Sequence, residues 1–232
     1  MISTRYGTVE VLYEDNHVLA AVKPVNLPSQ SDLSGDEDML SVLKVYIAEK
    51  YQKPGEAYLG LVHRLDRPVG GVMVFARTSK AAARLSEQFA AHTNTKKYLA
   101  VAEGEIPGET RMECWMTQKQ GQNAKIASKE TPGAKRAALV SRPLCSRDGL
   151  TLTEVTLETG RKHQIRLQHA DAGHPLWGDN RYGNGKPGMQ IALWAYCLTV
   201  EHPTKKTPVT LKCLPPVKGV WAKFEDILEE LK

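Results

Sequence analysis

No apolar run in this chain is long enough to span a bilayer, and the opening residues, Met1-Ile2-Ser3-Thr4-Arg5-Tyr6, lack the apolar core of a signal peptide. Cysteine is scarce: Cys114, Cys145, Cys197 and Cys213 stand far apart, with no Cys-x-x-Cys pair. That spacing argues against disulfide staples and a structural zinc site, and makes a reducing cytoplasm the expected location. There is no internal repeat, no low-complexity linker and no nucleotide-binding or metal-binding motif. The rest is ordinary in amount. With 41% hydrophobic and 25% charged residues over 232 positions, the chain can bury a full core, and residues 1–232 are expected to form a single domain.

The charge is unevenly spread. Residues 1–43 carry seven acids and two bases, whereas residues 117–142 carry Lys119, Lys125, Lys129, Lys135, Arg136 and Arg142 against Glu130 alone. An asymmetry of this kind suits one face of the molecule to phosphates, although a solvated lysine-rich surface is the commoner cause of any one such stretch.

Val9, Val11 and Tyr13 alternate with polar neighbours, and a turn at Glu14-Asp15-Asn16 leads into the apolar run His17–Val22, so a β-hairpin is predicted, ended by Lys23-Pro24. A long loop is expected from Asn26 to Asp38, a helix over 40–50, a strand over 72–77, and a helix capped by Thr78-Ser79 with Ala82, Leu85 and Phe89 on one face. Further strands are read at 98–102, several within 109–157, and at 191–200 and 209–213. A helix over 163–172 is closed by Gly173, and a C-terminal helix carries the stripe Trp221, Phe224, Ile227, Leu228 and Leu231. Strands outnumber helices and mostly neighbour one another in sequence. The fold class is therefore α+β, with a mixed, mainly antiparallel central sheet flanked by helices.

Three clusters could carry chemistry. His63-Arg64-Leu65-Asp66 sets a carboxylate on a loop between the apolar Leu61-Val62 and Val72–Ala76, with Gly70-Gly71 permitting a close backbone approach. Taken alone, this is a charged turn in which Asp66 balances Arg64 and Arg67. Lys96-Lys97-Tyr98 opens a strand. Gly160-Arg161-Lys162-His163-Gln164-Ile165-Arg166 packs cations at a helix start, against the helix dipole, and calls for an anionic counterpart in Asp66 or a bound phosphate.

Together these clusters resemble the RluA-like family of pseudouridine synthases. Glu14-Asp15-Asn16 to Lys23-Pro24 is similar to that family's opening hairpin, and His63–Asp66 with Gly71 and Phe75-Ala76 to its catalytic motif. Lys97-Tyr98 with Ala100, Val101 and Gly104 resembles its Lys-x-Tyr strand. Gly160-Arg161-x-His163-Gln164-Ile165-Arg166 with Gly178-Asp179 and Tyr182 resembles its third signature. The likeness spans roughly residues 10–215. It departs at Pro68-Val69-Gly70-Gly71, where many members have Thr-Ser-Gly, which bears on substrate detail rather than on reaction class.

The resemblance implies a pseudouridine synthase fold with the active site in a central cleft, and an enzyme that turns uridine in RNA into pseudouridine. Asp66 is the implied catalytic carboxylate, acting on ribose or base or abstracting a ribose proton. Arg166 is its implied partner, holding it ionised, and Tyr98 stacks on the base and offers a phenol. Arg64 would enter the RNA stack during base extrusion, with His63, Arg161 and Lys162 as phosphate contacts, although a packed loop histidine is an equal expectation for His63. Isomerisation needs no cofactor and no metal. The expected partner is a tRNA or rRNA stem-loop, read by a stand-alone catalytic domain without an S4-like domain and acting as a monomer with no membrane association. Two rivals are a catalytically silent RNA-binding module of the same fold and a metal-dependent hydrolase built on His63, Asp66, His163, His169 and His174. Intact Asp66, Tyr98 and Arg166 weigh against the first, and scattered histidines among cations against the second.

Overall fold

The computed structural model describes residues 1–118 and 122–232, so Lys119 of the basic segment lies outside the described residues. In chain order the elements are β1 (Ile2–Thr4), β2 (Gly7–Glu14), β3 (Val18–Lys23), α1 (Met39–Lys50), β4 (Gly60–Leu61), β5 (Gly70–Ala76), α2 (Ser79–Ala91) and β6 (Thr95–Glu103). There follow β7 (Thr110–Thr117), β8 (Lys125–Ala127), β9 (Lys135–Arg147), β10 (Leu150–Leu157), α3 (Gln164–Asp171), β11 (Leu193–Glu201), β12 (Pro208–Lys212) and α4 (Glu225–Glu230). This is an α+β protein dominated by antiparallel strand pairs.

The chain forms two compact units. The first comprises Met1–Lys96 with Ala195–Cys213, the second Lys97–Trp194 with Leu214–Lys232. In the first unit the strands run β1-β2-β3-β5-β11, with β12 added on β11 and β4 on β5. β3 and β5 pair antiparallel from Val18↔Ala76 to Lys23↔Gly71 and are buried along their whole length. Continuous apolar runs such as Val18–Val22 and Val72–Ala76 are what a strand covered on both faces requires. Val18, Ala20, Val72, Val74, Ala76, Leu198, Val200 and Leu211 form a core with Ala81 and Leu85 of α2. The predicted cap at Thr78 is in place, accepting from Ala81 N–H at the start of α2, and Asp38, read from the sequence only as the end of a loop, accepts from Ser41 N–H at the start of α1.

In the second unit the order is β6-β10-β9-β7-β8, each strand antiparallel to its neighbour in that order. α3 is preceded by its cap residue His163, whose φ of 56° places it in the left-handed region, and Gly173 follows the helix with φ +82°. The C-terminal segment departs from expectation. It is not one helix but a 3-10 turn, Gly219–Phe224, followed by the short α4. Three residues per turn align Trp221 with Phe224, which are both buried, while Ile227 and Leu231 of the expected stripe are only half-buried.

Candidate active site

Asp66 sits in the first unit, on the loop that joins β4 to β5. Its carbonyl accepts from Val69 N–H at 3.0 Å, which closes a turn over 66–69 and delivers the chain to Gly70. A Cβ on Gly71 would stand 2.2 Å from the carbonyl oxygen of Ala195, and its φ is +125°. Glycine at 71 is therefore a requirement of the return into β5.

The two arginines beside Asp66 differ. Arg64 is exposed. Arg67 is committed to the acidic loop, where its guanidinium pairs with Asp36, lies 3.7 Å from Asp32, and donates to Tyr6 Oη at 3.1 Å and to Ser34 Oγ at 3.1 Å. The surplus acid of residues 1–43 is thus partly spent on Arg67, and the simple charge-balancing account of Asp66 loses one of its two cations.

Lys23 is fully buried beneath this loop and donates to the carbonyls of Leu27 at 2.6 Å, Arg67 at 3.0 Å and Pro24 at 3.2 Å. Burial pushes its pKa down to about 7, the nearby Asp66 countering and Arg67 reinforcing the shift. In the sequence Lys23 stands out only as the end of the hairpin. Its only signal there is a lysine closing an otherwise apolar strand.

His63 stacks on Phe89, ring centroids 4.5 Å apart, and its Nε2 accepts from Val74 N–H at 2.9 Å. β4 pairs with β5 only as far as Leu61↔Phe75, and the imidazole meets the next backbone donor along β5. Burial holds the ring neutral, its pKa pushed down to about 3 with Lys96 adding to the shift. A neutral imidazole with Nε2 committed to the sheet brings no charge to a phosphate. This favours the packed-histidine expectation.

In the second unit Tyr98 lies opposite Val155 in the β6–β10 ladder. Arg166, on the first turns of α3 and 5% exposed, makes a bidentate pair with Asp179, Nε to Oδ2 at 2.7 Å and the second guanidinium nitrogen to Oδ1 at 2.6 Å. Asp179 Oδ1 also accepts from the N–H groups of Arg181 and Tyr182, at 2.9 and 3.2 Å. Burial pushes the Asp179 carboxyl up, but Arg166 and the two N–H groups outweigh it and hold the pKa below the usual range. The Arg166 guanidinium carbon lies 5.5 Å from the centroid of the Tyr182 ring, whose hydroxyl accepts from Ala124 N–H at 3.0 Å and bonds His163 Nδ1 at 2.9 Å. Asp179 is thus an anionic counterpart inside the unit. In the sequence Asp179 is visible only as part of the third signature, with nothing to mark this role.

Arg161 donates from Nε to the carbonyl of Arg136 at 3.0 Å, while Lys162 is exposed. In the basic segment, Arg136 pairs with Glu113 and Glu158, and Arg142 with Glu154, all three acids lying outside that segment. The cationic surplus read from the sequence is smaller in space. The histidines of the hydrolase reading are engaged elsewhere: His169 with Ser141 Oγ and the Ile165 carbonyl, His174 with the Glu103 carbonyl. Among the described residues no three His, Cys, Asp or Glu side chains gather as a metal site, and no helix is long and apolar enough to cross a membrane.

Residues 17–171 match the family model described as RNA pseudouridylate synthase. The chain is 35% identical over 210 residues to the Uncharacterized RNA pseudouridine synthase YhcT of Bacillus subtilis, covering 85% of this chain and 66% of that protein. It is 31% identical over 189 residues to the Ribosomal large subunit pseudouridine synthase D of Zymomonas mobilis, covering 80% of this chain and 59% of that protein. The chain therefore spans about three fifths to two thirds of the length of these relatives. In fold it is similar to Human RNA Pseudouridylate Synthase Domain Containing 4, with a TM-score of 0.76 at 23% identity, covering 94% of this chain and 92% of that one. With the His63–Asp66 motif inside the matched residues, the chain belongs to the RNA pseudouridylate synthase family.

Proposed function

We propose that this chain isomerises uridine to pseudouridine in structured RNA, with Asp66 as the reactive carboxylate. What carries the reading is the placement of Asp66. It lies within the family match, on a tightly held loop leading into a buried strand. The reaction breaks the bond between N1 of uracil and C1′ of ribose and forms one between C5 and C1′. C5 gives up its hydrogen as a proton and N1 gains one, so the balance needs neither oxidant nor cosubstrate. An ionised carboxylate suits each of the three roles open to Asp66, attack on ribose, attack on base or proton abstraction. Tyr98 supplies a ring for stacking and a phenol for proton transfer, and Arg166 a buried cation held in a fixed direction by Asp179.

Arg64 and Lys162, exposed in their units, are the proposed RNA contacts, with Arg161 beside them. His63 is left out of that set because its Nε2 is engaged by Val74. Residues 1–232 are proposed to serve as one catalytic domain, a cytoplasmic monomer acting on RNA alone. Ribosomal RNA is favoured by the name of one relative, and a transfer RNA stem-loop is the alternative substrate.

The test is to map pseudouridines across total RNA made with wild-type protein, with Asp66→Ala and with none. Asp66→Ala should leave the target uridines unmodified while binding the same RNA within about threefold of wild type. Modification by Asp66→Ala would remove Asp66 from the chemistry. If wild type changed no uridine yet bound RNA, the silent RNA-binding reading would stand instead.

A further inference from the structure

The loop bearing Asp66 lies outside the paired strands, so its backbone must find hydrogen-bond partners elsewhere. On one side of Asp66, the Ser29 hydroxyl accepts from Leu65 N–H at 3.1 Å and donates to the Leu65 carbonyl at 2.8 Å. Ser29 and Leu65 are 6% and 7% exposed, so water does not readily substitute for either bond. On the other side, the Arg67 carbonyl accepts from Lys23 Nζ at 3.0 Å and from Asn26 N–H at 2.9 Å. Both chain neighbours of Asp66 are therefore tied to one short stretch, residues 23–29. That stretch begins at the last residue of β3, and β3 pairs with the strand that the Asp66 loop enters.

A serine hydroxyl is suited to this position because a single oxygen is donor and acceptor together. Ser29 closes both main-chain groups of one residue across 36 positions of sequence. With Leu65 and Arg67 both held, the main chain on either side of Asp66 is fixed, and with it the point from which its side chain starts.

We propose that Ser29 is a positioning residue for the isomerisation, fixing through Leu65 the backbone from which the Asp66 carboxylate reaches the uridine. This rests on the reading of Asp66 as the reactive carboxylate. Ser29 touches no reacting atom in this scheme. Its loss leaves two buried main-chain groups seeking new partners, and the loop shifts to find them. Displacement of a reacting group by about 1 Å costs on the order of a hundredfold in rate.

The experiment uses the full chain and RNA tritiated at C5 of uridine, extracted from cells lacking the protein, under single-turnover conditions with saturating enzyme. Release of tritium follows formation of the new C5 bond, and filter retention of the same RNA gives its Kd. Ser29→Ala is expected to release tritium about tenfold to a hundredfold more slowly, with Kd within about twofold of wild type. Ser29→Thr keeps the hydroxyl, and Met73, whose Sδ lies 3.7 Å from Ser29 Oγ, is a flexible neighbour able to yield to a larger side chain. It should recover to within about threefold of the wild-type rate.

A core variant, Leu85→Ala, gives the comparison for stability alone. Should Ser29→Ala fail to fold, Ser29→Cys, with its weakly bonding thiol, takes its place under the same criteria. The inference is overturned by an unchanged rate, by Ser29→Thr being as slow as the Ala or Cys variant, or by equal slowing in Leu85→Ala. Asp66→Ala is assayed alongside. Tritium release by that variant would sink the assignment of Asp66 itself, and the role of Ser29 with it. A dead Asp66→Ala with a fully active Ser29→Ala would sink only the role of Ser29.

Discussion

On either side of Asp66 the main chain is held: Ser29 grips Leu65, while Lys23 and Asn26 grip the Arg67 carbonyl. At Arg166 the side chain is held, where both oxygens of Asp179 meet the guanidinium. The two halves of the motif set are thus built on different principles. The loop that carries the proposed reactive carboxylate is shaped by bonds to its neighbours' main chain. A cation that must stay put is clamped at the charged group. Damage should accordingly appear as altered geometry in the first region and as an unbalanced charge in the second.

The sharpest way to break this contrast is Asp179→Asn. It keeps the shape but removes the Asp179 charge from the buried Arg166 guanidinium, so urea unfolding should register a loss of about 3–5 kcal/mol. A loss below about 1 kcal/mol would mean that Arg166 finds its balance elsewhere and the clamp is not electrostatic.

His63→Phe probes the first region more gently. The ring keeps its stack on Phe89, but Val74 N–H loses its acceptor, at an expected cost of about 1–3 kcal/mol. RNA affinity should stay within about twofold of wild type. Weakened RNA binding at unchanged stability would return His63 to the phosphate contacts.

The smallest effect concerns Lys23. Its pKa falls from an ordinary lysine value to about 7 in the folded protein, so above pH 7 the unfolded chain binds more protons than the folded one. Stability conferred through this group therefore rises with pH. From about pH 7 to pH 8, wild type should gain about 1 kcal/mol relative to Lys23→Met. A difference that stays flat, or shrinks, would show that Lys23 is charged throughout that range.

Much of this architecture is legible in residue order. The first hairpin, the cap at Thr78, and the buried strand after the Asp66 loop follow from alternation, cap chemistry and apolar runs, all of which act between near neighbours. The devices that fix the site do not. Ser29 meets Leu65, Arg67 meets Asp36 and Arg166 meets Asp179 at separations with no period, through single polar groups that look like any others in the sequence. The break in the C-terminal segment was hidden for another reason. Spacings of three and four residues serve a 3-10 turn and an α-helix alike until backbone angles are known.

The first unit has a consequence for how the protein comes into being. Its last strands, β11 and β12, arrive only after the second unit's strands and α3, and the Ala195 carbonyl packed against Gly71 belongs to that late arrival. His202 reaches back 187 residues to Asp15. On a translating ribosome, the half that holds Asp66 must wait, unfinished, until residues 195–213 emerge, while residues 97–194 of the other half are already available to pair among themselves. Premature release of the nascent chain before that point would leave the apolar β3 and β5 without the strand that completes their sheet, a template for aggregation rather than a partial enzyme.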